Sequence, residues 1–321
     1  MNYKKQHIHN FLLQMKNHKA VLAVVVTYNR LELLKQCIES LRNQTYTIER
    51  ILVVNNGSND GTAQWLDEQQ DLYVVHQENL GGAGGFHTGF REALKQNAEW
   101  VWAMDDDCIP QPEALERLVQ YAENANNIYC SVAVDAQNPK QLCWITKGID
   151  GRRLQRTDEL GNVPMEVAGV PFLAIFLSTA LIKKIGFPLK ELFIWGDDTE
   201  YCWRAKKQAQ SKIFYIPQSK VYHPATEYIS VRLLPLMPRI NLVNAAPWKL
   251  YYEFRNITFL NKQYSHPIKY YFFYLPKTIV KLWLSRRFIF KTATKQHFKN
   301  MLKAIYAGHR GKLGKVDYER L

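Results

Sequence analysis

The 321 residues contain no Cys-x-x-Cys pair, no internal repeat and no low-complexity stretch. The five cysteines (Cys37, Cys108, Cys130, Cys143 and Cys202) are odd in number and widely spaced. That argues against a disulfide framework or a zinc knuckle and suits a reducing compartment. Long apolar runs are missing too. The uncharged stretch Tyr270 to Pro276 has seven residues, against roughly twenty for a helix that spans a bilayer. Met1 to Ala20 is polar, rich in Lys and His, and lacks the apolar core of a secretory signal. Acids are scarce in one region only. From Tyr251 to Leu321, fifteen Lys and Arg face three acids, so +12 of the net +13 sits there. A basic segment of this kind seeks an anionic surface: membrane, nucleic acid or acidic polymer.

What is present is an alternation of strand and helix. Ala20 to Val26 is a continuous, largely β-branched run, as in a strand buried on both faces of a parallel sheet. Leu31 to Leu41 has helical spacing, with Leu33, Leu34, Cys37, Ile38 and Leu41 on one face. Ile51 to Val54 reads as a second strand, followed by the turn-rich run Asn55 to Thr62 and a short helix to Glu68. Leu72 to His76 is a third strand. Gly81-Gly82-Ala83-Gly84-Gly85 predicts a glycine-rich loop before a helix that reaches about Gln96. Trp100 to Met104 is a fourth strand, and a helix is expected from Pro112 to Asn124. Further strands are expected at Ile128 to Val134, Gln141 to Thr146, Ile213 to Ile216 and Lys220 to His223. Between them lie a loop or hairpin at Asp150 to Val163, a helix at Thr179 to Ile185 capped by Ser178, and a helix from Asp197 to Gln208. The pattern implies a doubly wound α/β sheet with ligands beyond the carboxyl ends of its strands. The expected division is an extension at 1–19, a catalytic domain at 20–247 and a basic, aromatic helical region at 248–321. Mixed Tyr, Trp, Phe and cations in the last region suit a membrane interface, with a nucleic-acid face as the alternative.

Several clusters carry chemistry. Asp105-Asp106-Asp107 closes the fourth strand. Adjacent carboxylates raise one another's proton affinity unless a cation compensates, and a divalent metal that also holds phosphate oxygens is the natural partner. In an extended segment Asp105 and Asp107 share a side and Asp106 points away. The same run also suits a solvated acidic turn. The glycines would let backbone approach a ligand, or form a surface loop. Asp197-Asp198-Thr199-Glu200 opens a helix, where acids either complement the dipole or supply a general base. Trp195-Gly196 before it could form a sugar platform. His223 ends a strand and is either structural or the nitrogen ligand of a mixed metal shell that favours manganese. Asn29, Arg30, Asn55 and Asn56 follow two strands, as turn formers or as readers of a base, ribose or phosphate.

As an ordered set, Val24 to Arg30, Val53 to Ser58, Met104 to Asp107 and Trp195 to Glu200 resemble glycosyltransferase family 2. Within it, Asn79-Leu80-Gly81-Gly82-Ala83-Gly84-Gly85-Phe86 is most similar to the bacterial galactofuranosyltransferases, relatives of the rhamnosyltransferases. Tyr251-Tyr252-Glu253-Phe254-Arg255-Asn256 is similar to the same enzymes. The resemblance implies a GT-A fold, a nucleoside-diphosphate sugar donor, Mn2+ or Mg2+, and inversion at the anomeric carbon. By motif, Asp105, Asp107 and His223 would hold the metal and Asp198 would be the base. Trp195, Gly196, Asp197 and Glu200 would shape the acceptor site. Thr27, Asn29, Arg30, Asn55, Asn56, Asn79, Gly81, Gly82, Gly84, Gly85, Asp105 and Asp106 would hold the donor. Many relatives carry Asp where Asn55 or Asn56 stands. An amide both donates and accepts, so it can pair with a pyrimidine edge, and uridine and thymidine both remain open.

The expected partners are UDP-galactofuranose, a lipid-linked glycan of a bacterial surface polysaccharide (O-antigen or capsule) and an anionic membrane. Nucleic acid is not among them, and the oligomeric state is open. The expected location is cytoplasmic, peripheral on the inner face of the cell membrane. The alternatives are a dTDP-rhamnose rhamnosyltransferase or other hexosyltransferase of the same fold, a nucleotidyltransferase, and a non-catalytic nucleic-acid-binding protein.

Overall fold

The computed structural model describes residues 19–232, 240–288 and 295–321. The expected extension at 1–19 therefore lies outside them, except for Lys19. The order begins β1 (Val21–Thr27), α1 (Leu31–Arg42), β2 (Arg50–Asn55), α2 (Thr62–Asp67), β3 (Leu72–His76), α3 (Gly81–Lys95) and β4 (Trp100–Asp105). It continues β5 (Ile109–Pro110), α4 (Ala114–Tyr121), β6 (Ile128–Asp135), β7 (Gln141–Lys147), β8 (Arg153–Arg156), β9 (Met165–Glu166), β10 (Ile175–Ser178) and α5 (Thr179–Ile185). Then come α6 (Asp197–Ala209), β11 (Ile213–His223), β12 (Tyr228–Val231), β13 (Ile240–Val243), α7 (Pro247–Tyr264), α8 (Leu275–Phe288) and α9 (Lys295–His309).

The main path of the large sheet runs β3-β2-β1-β4-β10-β6-β11-β5. β1 to β4 are mutually parallel, β10 is antiparallel to β4 and β6, and β11 runs parallel to β6. The alternation of side chains along β1 divides the core. Leu22, Val24 and Val26 face Phe86 and Phe90 of α3, whereas Val21, Ala23 and Val25 face Leu34, Ile38 and Leu41 of α1. All seven residues of β1 are buried, as its unbroken apolar run requires. Register then aligns the strand ends: Thr27 is opposite Asn55, and Val26 is opposite Asp105. The turns after β1, β2 and β4 therefore share one edge.

Two local expectations change. The glycine-rich segment is not a loop but the first turns of α3. A Cβ on Gly85 would lie 2.3 Å from Val26 Cγ1, and one on Gly89 would lie 2.4 Å from Val24 Cγ1. The missing side chains let α3 settle directly on β1. Ile213 to His223 is one strand, not two, with a register shift between Ile216 and Lys220. Pro217 lies inside that shift, where its missing N–H interrupts the ladder. The segment after Asp150 is a hairpin strand, β8 on β7. Ser178 caps α5 as expected, its Oγ accepting from Leu181 N at 2.9 Å.

α7, α8 and α9 share a third core of Leu250, Tyr251, Tyr252, Phe254, Leu282, Met301, Ala304 and Ile305, completed by Phe193 from the segment before α6. α9 crosses α7 closely at Gly308, where a Cβ would lie 2.1 Å from Arg255 O. Among the described residues, no helix is long and apolar enough to cross a membrane. All five cysteines are buried and unpaired.

Candidate active site

The edge formed by β1, β2 and β4 opens into a cleft of about 820 Å³. Its lining includes Thr27, Tyr28, Arg30, Asn56, Asn79, Gly81 and Gly82 together with Asp105, Asp106 and Asp107. Trp195, Asp197, Asp198 and His223 line the same cleft. The strand-end acids and the acids that open α6 thus share one space, although they are far apart in the chain.

The three acids differ in their surroundings. Asp106 is held by Thr27 Oγ1 at 2.7 Å, Tyr28 N at 3.3 Å and Arg30 Nη1 at 3.2 Å. Burial nevertheless keeps its pKa above the usual carboxylate value, outweighing Arg30 and Thr27. Asp107 Oδ2 accepts from Arg30 Nη1 at 2.5 Å, and Asp107 Oδ1 lies 3.3 Å from His223 Nε2. Burial opposes its ionisation, but His223 and Arg30 together hold its pKa below the ordinary value. Asp105 is driven well above it, by burial first and then by Asp107, Asp106 and Asp197.

Among the described residues, no three His, Cys, Asp or Glu side chains form a ready-made metal cage. The chemistry of the donor set still fits a divalent ion that takes part of its shell from phosphate oxygens. His223 Nδ1 is buried without a hydrogen-bond partner, and Asp107 Oδ1, equally buried, has only the 3.3 Å contact to His223 Nε2; buried polar atoms so thinly satisfied are costly unless something meets them. Asp105, Asp107 and His223 are therefore the residues that could hold such an ion.

The segment before α6 is strained and pinned. Phe193, Trp195 and Gly196 have φ of 66°, 63° and 86°, a region that bulky residues enter only when their surroundings impose it. Asn256 Nδ2 imposes it here, reaching Leu192 O at 2.9 Å, Ile194 O at 3.0 Å and Trp195 O at 2.6 Å. Ala83 N donates to Phe193 O at 3.1 Å, tying the segment to the start of α3. A Cβ on Gly81 would fall 2.0 Å from that same carbonyl oxygen.

Asp198 follows this segment. Its Oδ1 accepts from Thr199 N at 2.5 Å and Thr199 Oγ1 at 3.2 Å. Among the described residues, no hydrogen bond engages Oδ2. Burial raises its pKa against the pull of Thr199, as a proton acceptor needs. Asp197 is pushed up to about 8 by burial and then by Asp198. Asp198 also lines a second cleft, of about 410 Å³, with Trp144, Trp203, Tyr215 and Tyr228.

Some expected site residues lie elsewhere. Glu200 is 1% exposed and lines neither cleft. It accepts from Arg204 Nη2 at 2.7 Å and Tyr264 OH at 2.5 Å, joining α6 to α7. Asn55 is buried and shapes the turn after β2, its Oδ1 accepting from Ser58 N at 3.0 Å, beside His76. Asn29 Oδ1 accepts from Asn59 N at 2.8 Å, outside the cleft. Gly84 and Gly85 are packing positions within α3, and Gly196 packs against Asn256 and Leu260. Asn56 lines the cleft and donates to Gly81 O at 2.9 Å. The sequence reading missed Trp144, Trp248, Lys249, Tyr252, Lys315 and Tyr318, which also line the cleft. Of these only Tyr252 had a sequence signal, in the run Tyr251 to Asn256.

Comparison with known proteins agrees with this architecture. Residues 22–176 match the family described as Glycosyl transferase family 2. Galactofuranosyltransferase GlfT1 of Mycobacterium tuberculosis is 34% identical over 192 residues, 57% of this chain and 63% of that protein. Its counterpart from Mycolicibacterium smegmatis is 31% identical over 198 residues, 58% of this chain and 65% of that protein. The chain thus spans a little under two thirds of the length of both. The dTDP-rhamnosyl transferase RfbF of Shigella flexneri is 27% identical over 256 residues, 77% of this chain and 82% of that protein. The structure of S. aureus TarS 1-349 in complex with UDP-GlcNAc superposes with a TM-score of 0.56 over 90% of this chain and 81% of that one, at 17% identity. GalNAc-T7 with UDP, GalNAc and Mn2+ gives 0.57 over 79% and 53%, at 15% identity. At such identities the likeness carries the fold alone, a mixed α/β GT-A architecture. Residues 22–176, with the strand-end acids on their carboxyl edge, are thus a glycosyltransferase family 2 domain.

Proposed function

We propose that this chain is an inverting glycosyltransferase that moves galactofuranose from UDP-galactofuranose to a hydroxyl of a lipid-linked bacterial surface glycan. The observation that carries this reading is the single cleft onto which both Asp105–Asp107 and Asp198 open. Thr27, Arg30, Asn56 and Asn79 bind the nucleotide, and Gly82, which has open space where a Cβ would stand, admits the donor sugar. A Mn2+ or Mg2+ ion held by Asp105, Asp107 and His223 would act as a Lewis acid that neutralises charge on the departing diphosphate. Asp198 Oδ2 takes the proton of the acceptor hydroxyl. The acceptor oxygen forms its bond to the anomeric carbon from the face opposite the breaking bond to the diphosphate, so one displacement inverts the centre. Trp195 and Asp197 flank the acceptor, and Asp197, proton-bearing near neutral pH, donates a hydrogen bond to it.

The 34% identity to GlfT1 supports the furanose donor. A second reading, rhamnosyl transfer from dTDP-rhamnose, is favoured by the longer alignment with RfbF. A donor screen in the presence of Mn2+, reading release of nucleoside diphosphate, separates them. Turnover of UDP-galactofuranose is expected, and turnover of dTDP-rhamnose alone replaces the first reading with the second. Attachment to the cytoplasmic face of the membrane rests on one exposed stripe. Ile268, Phe272, Ile279 and Trp283 recur at helical spacing before and along α8, with Phe272 82% exposed, and Lys269 and Lys277 stand nearby.

A further inference from the structure

Arg255 is fully buried, and among the described residues no carboxylate pairs with it. Its guanidinium is spent on carbonyls instead. Nη1 donates to Gly314 O at 2.5 Å, Nη2 to Leu192 O at 2.9 Å and Glu191 O at 3.3 Å, and Nε to Asn256 Oδ1 at 2.9 Å. Gly314 N donates in turn to Glu191 O at 2.7 Å. Val316 N is held by Tyr252 OH at 2.9 Å. The residue between these two anchors is Lys315. Pinned on both sides, it extends its side chain into the cleft, with Nζ 3.2 Å from Asn79 O and 5.8 Å from the Phe193 ring centre.

The charges around it give this placement a purpose. Six carboxylates line the cleft, and Arg30 is already bound to two of them. Lys315 forms no ion pair among the described residues. An ammonium carries three donors, and Asn79 O takes one of them. Lys315 lines the same cleft as Gly81, Gly82 and the strand-end acids, so the remaining two are available to a ligand there.

We propose that Lys315 binds the anionic diphosphate of the nucleotide donor, and that Arg255 sets it there by clasping Gly314 to the segment that leads to Asp198. The proposal rests on the donor reading above and adds a cation to it from outside the family 2 domain. Placing the base-bearing segment and the donor cation under one guanidinium couples the two halves of the reaction.

The test is calorimetric titration of UDP, dTDP and uridine, each with Mn2+, into the full chain and into Lys315→Ala and Lys315→Arg. For Lys315→Ala, the expected result is UDP binding weakened about tenfold, the size of a lost charge-assisted hydrogen bond, with uridine binding unchanged. Lys315→Arg should recover most of the loss. Equal UDP affinity in wild type and Lys315→Ala overturns the assignment, as does parallel weakening of UDP and uridine. If UDP affinity holds while the KM for a lipid-diphosphate acceptor rises, the cation serves the acceptor and the donor assignment falls. If wild type binds neither UDP nor dTDP, the donor reading itself fails, which distinguishes that failure from one confined to Lys315.

Discussion

Two adjacent aspartates, Asp197 and Asp198, sit in the same helical turn yet differ in their surroundings. Asp198 keeps Oδ2 out of the hydrogen bonds that engage Oδ1. Asp198→Asn preserves shape and removes basicity, so transfer should fall about 10²- to 10⁴-fold while titrated UDP still binds at near wild-type affinity. A wild-type rate in that variant would dismiss Asp198 as the base. Asp197 makes a prediction about pH. Its pKa rises from 3.8 unfolded to about 8 folded, through burial and then Asp198. The folded state therefore holds a proton that the unfolded state releases, and stability from this group declines as pH rises through that window. The advantage of Asp197→Asn in melting temperature should grow from about pH 4 to about pH 8 and level off above. Metal-free thermal melts across that range check it, and a constant difference would contradict the assignment.

Glycines in α3 look alike in sequence but not in environment. A Cβ on Gly89 strikes Val24, whereas one on Gly82 meets nothing within 4 Å. Gly89→Ala should cost about 1–3 kcal/mol through overpacking, and Gly82→Ala should cost nothing or gain up to about 1 kcal/mol in helix propensity. Urea denaturation of the two variants separates them. The same contrast shows what the sequence could convey. The β-branched run of β1 and the helical spacing of Leu34, Ile38 and Leu41 announced their elements directly, because local pattern and burial agree there. The glycine run did not, because loop and close-packed helix draw on the same freedom from a side chain. Glu200 shared the acidic signature of Asp197 and Asp198, yet two more residues of helical rotation turn it onto Arg204 and Tyr264. The strand-end acids and Asp198 were legible as motifs. Lys315 was not, since a lone lysine in a basic region carries no local mark and it reaches the cleft through contacts distant in sequence, of Gly314 with Arg255 and Glu191 and of Val316 with Tyr252.

For the whole molecule, two surfaces of opposite character matter. The cleft is rich in carboxylates, and the exposed stripe before and along α8 is aromatic and basic. Phe272→Asp combined with Trp283→Asp should weaken cosedimentation with phosphatidylglycerol vesicles about tenfold or more. Turnover with a water-soluble acceptor should be unchanged. Salt-sensitive binding to RNA that survives both substitutions would assign the basic region to nucleic acid instead. The interior offers a practical consequence of its own. Every sulfhydryl is enclosed, and burial pushes Cys143 and Cys202 up to about 12, far from the reactive thiolate form. Alkylating reagents should therefore ignore the native molecule and mark it only when it opens, so that one cysteine added at position 272 becomes a clean attachment point for a fluorophore that reports contact with lipid.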